Sequence, residues 1–226
     1  MLGLVGRSDL VTPMPSPANR TAPSTMLGIA ALSALAAALG DAMMLGIAFG
    51  HVSVDSSLAS TQLLVGSALG LLIPVYFLGY RALADAYAFP HRGVFLFLAA
   101  VVAGCGALTH VLTGLDIQLA LASGAKTRLP LEAFAEPSLL MVCASASAVA
   151  CLAASIFIVV TDVRMRPRSM RPIPFFNPVL GTILLTAISI PMGTAGAYLG
   201  PAAPNLAHFL FFVVGRHAIA SASTRP

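Results

Sequence analysis

Long apolar stretches alternate along the chain with short polar ones, and the apolar stretches have membrane length. A helix crosses the hydrocarbon core in about 20 mostly apolar residues. Six segments reach or approach that length: Met26–Gly50, Thr61–Leu83, Gly93–Leu115, Phe134–Val160, Asn177–Leu199 and Asn205–Ala220, the last being the shortest. The pattern predicts an all-α polytopic membrane protein, a six-transmembrane-helix bundle forming one domain over residues 25–222. Residues 1–24, with Pro13, Pro15, Pro17 and Pro23 and no continuous apolar core of a signal peptide, read as a disordered cytoplasmic tail.

Small residues let helices approach closely in lipid. The chain supplies them as Gly46-xxx-Gly50, Gly66-xxx-Gly70 and Gly196-xxx-Gly200, and in the Ala/Ser run from Ala144 to Ala150. Pro74 and Pro191 fall inside predicted helices, where each removes a backbone donor and predicts a kink. The segment Gly200–Pro204 reads as the loop before the last helix, with Tyr198 at the outer end of the one before it.

Composition strengthens the membrane reading. Hydrophobic residues make up 58% and charged residues 9%, against about 25% charged in an average soluble domain. The net charge of +4 is a topology signal rather than a nucleic-acid footprint, because the basic residues are spread along an apolar chain. Of the twelve Lys and Arg, all but Lys126 and Arg128 fall on one side if both termini and the loops around Arg92 and Arg164–Arg171 are cytoplasmic. An even number of helices in the inner membrane meets the positive-inside rule. Cys105, Cys143 and Cys151 all lie in apolar runs and read as free thiols.

Ionisable groups within a spanning helix cost at least ~2.5 kcal/mol near its centre, so each needs a reason. Asp41 is the clearest, placed past mid-membrane towards the outer side of the first helix. His110 is expected near the outer end of the third helix, Glu132 and Glu136 at the outer start of the fourth, and Asn205 with His208 at the outer start of the last. Tyr76 and Tyr80 share a face in the cytoplasmic half, where Arg81 and Asp85 have ion-pair spacing. The spacing therefore predicts a polar site in the outer half of the bundle. Asp41, His110, His208 and Asn205 are its candidate catalytic groups; Tyr76, Tyr80, Glu132, Glu136 and Tyr198 are candidate substrate contacts.

No HExxH, GxSxG, phosphate-binding glycine loop or cysteine pair at metal spacing occurs. Two histidines and an aspartate are enough in number for zinc, and two histidines for haem or a quinone, but no spacing selects either. The expectation is no metal and no cofactor. An apolar cavity favours the neutral form of a carboxyl, which makes it a general acid able to protonate an alkene or epoxide. An imidazole can then accept a proton and aromatic faces can stabilise a carbocation. The expected partner is a lipophilic small molecule arriving through membrane lipid.

The run Leu39-Gly40-Asp41, the Gly66-xxx-Gly70-xxx-Pro74-x-Tyr76-xx-Gly79-Tyr80 pattern, Thr109-His110, Phe176-Asn177-Pro178 and Pro204-Asn205-Leu206-Ala207-His208 resemble a group of small bacterial six-helix membrane proteins. More distantly, size, helix number and buried acid resemble the membrane-embedded terpene cyclases of meroterpenoid and indole-terpenoid pathways. That resemblance implies metal-free, acid-initiated cyclisation of a prenyl chain, with Asp41 as proton donor. Fungal members pair the early acid with another in the last helix, where this chain has Asn205 and His208. A non-enzymatic carrier or accessory subunit of a membrane complex is the alternative.

Overall fold

The computed structural model describes residues 21–48, 56–123, 138–165 and 172–223, and every regular element among them is helical. In chain order they are α1 (Thr21–Ala48), α2 (Ser56–Gly70), a 3-10 turn (Ile73–Val75), α3 (Tyr76–Ala86), α4 (Arg92–Ala122), α5 (Leu139–Met165), the single turn α6 (Pro172–Phe175), α7 (Pro178–Ser189), a second 3-10 turn (Ile190–Met192) and α8 (Thr194–Ser223). Five spans are long and apolar enough to cross a membrane: Ala22–Ala48, Ser57–Ala86, Arg92–Ala122, Leu139–Asp162 and Thr194–Ser221. The apolar stretch Pro178–Met192 is shorter. The predicted tail falls largely outside the described residues, and the chain is already helical at Thr21.

The distribution of side-chain size inverts that of a soluble protein. Ala30, Ala34, Ala37, Ala99 and Ala203 are buried at helix contacts, while Leu32, Leu64, Phe97, Val149 and Leu184 point outwards. Small residues at helix contacts and large apolar ones outside are what a bundle in lipid requires, since lipid supplies no penalty for exposed leucine.

α1 packs against α8 on one side and α2 and α3 on the other, α4 bridges from α2 and α3 to α5, and α7 lies against α8. α1 and α8 are antiparallel. Gly28, near the start of α1, lies so close to Arg216, near the end of α8, that an added Cβ would sit 3.3 Å from the guanidinium. Farther along the same pair, Asp41 meets Asn205.

Of the two prolines predicted to kink helices, Pro74 sits in a 3-10 turn that interrupts a helix, whereas the 3-10 turn at Pro191 ends α7 just before the chain turns at Gly193. Asn177 starts α7 as expected, its side chain accepting from the Val179 and Leu180 amides at 3.1 Å each and donating to the Pro174 carbonyl at 2.6 Å.

The last two helices depart from the sequence expectation. The turn lies at Gly193, at φ 57°, rather than at Gly200–Pro204, and α8 runs unbroken through Pro201 and Pro204. Prolines are tolerated inside spanning helices because neighbouring groups can satisfy the released carbonyls. Tyr198 therefore belongs to the start of α8, and Asn205 is a helix-interior residue rather than a cap. α4 also continues to Ala122, so His110 lies near the middle of its helix and not at the outer end.

Candidate functional site

These boundary changes bring into one cluster residues that the linear reading divided between two halves of the bilayer. On α1, Asp41 Oδ1 faces His110 Nδ1 of α4 at 3.0 Å. Its other oxygen, Oδ2, accepts from Asn205 Nδ2 of α8 at 2.7 Å. The Tyr76 hydroxyl, at the first position of α3, donates to Asn205 Oδ1 at 2.7 Å. One turn farther along α3, the Tyr80 hydroxyl meets His208 Nε2 at 2.9 Å. The Tyr76 and His208 rings stack with centroids 4.9 Å apart.

Hydrogen-bond chemistry fixes most of the protons. A carbonyl only accepts, so His110 Nε2, 2.9 Å from the Gly66 carbonyl, carries a proton. One further proton then lies between His110 Nδ1 and Asp41 Oδ1, resting on either the imidazole or the carboxyl. Either way the pair is neutral overall, the form that an apolar interior tolerates. His208 Nδ1 lies 2.8 Å from the Pro204 carbonyl and so also carries a proton. With the ring neutral, His208 Nε2 accepts from Tyr80.

Local sequence explains the seating of His110. Gly70 and Gly40 leave the space its ring fills: a Cβ on Gly70 would stand inside the imidazole, and one on Gly40 would lie 3.1 Å from Nε2. Pro74 has no amide to give the Gly70 carbonyl, and the chain there makes tight i to i−3 bonds, including Leu72 N to Leu69 O at 3.1 Å. The α-helix resumes at Tyr76.

The cluster forms part of the wall of a cavity of about 630 Å³ lined by α1, α3, α4, α5, α7 and α8. That volume lies within the range of about 300–1,000 Å³ typical of small-molecule sites. Most of the remaining wall is aliphatic, from Leu45 and Ile73 through Val102 and Ile117 to Val179. The hydroxyls lining it donate elsewhere. Thr109, Thr113 and Thr182 bond back to carbonyls of their own helices at 2.7–2.8 Å, and Ser147 reaches the Val102 carbonyl at 3.2 Å. The Asp41 side chain retains 16% exposure against 3% for His110, so the carboxyl is the more accessible member of the pair.

Of the residues expected at the site, Asp41, His110, Asn205, His208 and Tyr76 line the cavity. Tyr80 stands behind it as the partner of His208. Tyr198 is not on the cavity wall. Glu132 and Glu136 lie outside the described residues. Cys151, read only as a free thiol, and Thr109, named only beside His110 in a sequence motif, line the cavity, as do Met44, Thr113 and Thr182, which the sequence reading did not single out. The one available signal was the Thr109/Thr113 pair, four apart on the face that carries His110. Among the described residues no group of three or more His, Cys, Asp and Glu side chains could hold a metal ion. Both nitrogens of each cavity histidine already face protein partners, which turns neither imidazole towards a haem.

Arg81 and Asp85 pair as expected, at 3.7 Å, but Arg92 binds the same carboxylate more closely, at 2.6 Å. Just beyond that helix end, burial and the Asp162 carboxylate both raise the pKa of the Tyr87 hydroxyl above its ordinary value.

No protein-family model matches the chain, and neither a curated protein nor a solved structure matches it. The functional reading therefore rests on the chemistry of the cavity.

Proposed function

We propose that the chain is an intramembrane enzyme in which Asp41 acts as a general acid, initiating isomerisation or cyclisation of a lipophilic isoprenoid. One observation carries the reading: a carboxyl hydrogen-bonded through both oxygens sits on the wall of a largely aliphatic cavity. In this mechanism the proton shared with His110 passes from Asp41 to a substrate alkene. That step leaves a tertiary carbocation beside the new carboxylate. Asn205, already donating to Oδ2, stabilises that carboxylate. Tyr76 orients Asn205 by holding its amide oxygen, and presents its ring to the cavity as a π face for the cation. Loss of a proton from a neighbouring carbon back to Asp41 completes the reaction, with no net consumption of acid and no cofactor. The resemblance to membrane-embedded terpene cyclases implies the same chemistry, with Asn205 and His208 where fungal members carry a second acid.

In the bilayer, the short stretch Pro178–Met192 also crosses, as the fifth of six crossings, and both termini lie in the cytoplasm. The antiparallel packing of α1 and α8 supports this topology, as does the concentration of basic residues on one side.

The test is conversion of a panel of prenyl alcohols and prenylated phenols by the purified protein. General acids contribute about 10²–10⁴-fold, so Asp41→Asn, which preserves shape, is expected to slow conversion by about that factor. Equal conversion by wild type and Asp41→Asn, or conversion by neither, would sink the proposal. Binding without conversion would favour a carrier.

A further inference from the structure

The helices around the cavity do not pack equally closely. α5 rests firmly on α4 and α7 on α8, whereas α5 and α7 meet only sparsely. The single turn α6 touches both α5 and α8 and bridges the seam at one end. Along the seam, residues belong to the cavity wall and to the outer surface at once: Leu152 on α5 is 49% exposed and Ile183 on α7 is 61% exposed, and both line the cavity. Ala144 and Ala148 of α5 line it too, and their small side chains leave the gap unfilled. The acid pair lies on the opposite wall, on α1 and α4.

We infer that the seam between α5 and α7 is a lateral port through which an amphiphile dissolved in the bilayer enters the cavity. Its single hydrogen-bonding head reaches Asn205 beside Asp41, which sets a double bond next to that head at the Asp41 carboxyl, and the rest of its hydrocarbon chain lies between the aliphatic walls and out through the seam. Three features select this occupant. The opening is lined by apolar side chains, so a charged or strongly hydrated solute would lose its hydration there without replacement. The accessible polar groups gather around one point, Asp41, which suits one polar head. The cavity continues to an outer surface of exposed leucine and isoleucine, which in a membrane faces acyl chains. Ala148, Leu152 and Ile183 then set how bulky a chain can pass.

This inference rests on the reading of the cavity as a substrate site, but its test does not depend on turnover. A fatty alcohol carrying a diazirine on a carbon near its hydroxyl head is incorporated into phosphatidylcholine vesicles containing the full chain, photolysed, and mapped by peptide mass spectrometry. Adducts are expected on the buried cavity residues Val102 and Ile117 as well as on outward-facing Val149 and Leu184. Ala148→Phe with Ile183→Phe is expected to lower cavity labelling at least tenfold while leaving Val149 and Leu184 labelled. Leu152→Ala, which widens the seam, is expected to raise cavity labelling. Labelling confined to outward-facing residues overturns the port, as does cavity labelling that neither variant changes. Loss of the port with Asp41-dependent conversion intact would show that substrate reaches the acid by another route. An intact port with no conversion would instead refute the acid chemistry alone.

Discussion

Gly70 brings no functional group to the site, yet the His110 imidazole occupies the volume its side chain would need. A Cβ there would overlap the ring and lie 2.9 Å from the Cβ of His110, close to the α4 backbone, where little can give. Gly70→Ala is therefore expected to displace the ring from Asp41. Overpacking costs about 1–3 kcal/mol, offset by about 0.5–1 kcal/mol from removing a glycine. Gly104 provides the contrast, in the middle of α4 with open space around it, where the same change is expected to stabilise by about 0.5–1 kcal/mol. Thermal unfolding in detergent distinguishes the two. Gly70→Ala should also slow any Asp41-dependent conversion, and Gly104→Ala should not. The polar groups of the site were readable one by one, because an aspartate or histidine in an apolar run is conspicuous. Their pairing was not, since Tyr76 and Asn205 meet across 129 positions of chain.

At the scale of elements, helix ends decided which residues came together. Apolar length located the spans, but it could not decide between two turn signals lying close together in the sequence. Pro201 and Pro204 with Gly200 make a strong breaker cluster by composition, and Gly193 alone makes a weak one. The chain turns at the weak one because a backbone at φ 57°, ψ −128° is open to glycine and closed to other residues. The two prolines instead lie inside α8, both exposed and on the cavity wall. Moving the helix start from Asn205 back to Thr194 carries Asn205 and His208 three to four turns into the bundle, to the level of Tyr76 and Tyr80. Gly193→Ala isolates this effect, since nothing lies within 4 Å of the added Cβ. The strained backbone alone is expected to cost about 1–3 kcal/mol, visible as a lower midpoint of thermal unfolding. A midpoint equal to wild type would mean that the turn is not where the chain reverses. Pro74 acts similarly in the other arm of the site: its 3-10 turn sets the angle at which Tyr76 faces Asn205.

For the whole molecule, the number of crossings and the sidedness of the termini are a single question. Pro178–Met192 has 15 residues, which as an α-helix extend about 22 Å, short of a hydrocarbon core of about 30 Å. A short crossing is tolerated where the bilayer thins locally, at a cost of fractions of a kcal/mol per Å. If the stretch did not cross, α8 would run in the same direction as α1, and the two could not pair antiparallel. Arg216 beside Gly28 and Asn205 beside Asp41 require the antiparallel arrangement. Fusion of a fluorescent protein that matures only in the cytoplasm to the C-terminus should therefore glow, and alkaline phosphatase fused there should be inactive. The same phosphatase fused after Met192 should be active. An active phosphatase at the C-terminus, with the N-terminus cytoplasmic, would break the α1–α8 pairing and separate Asn205 from Asp41, removing the site together with the topology.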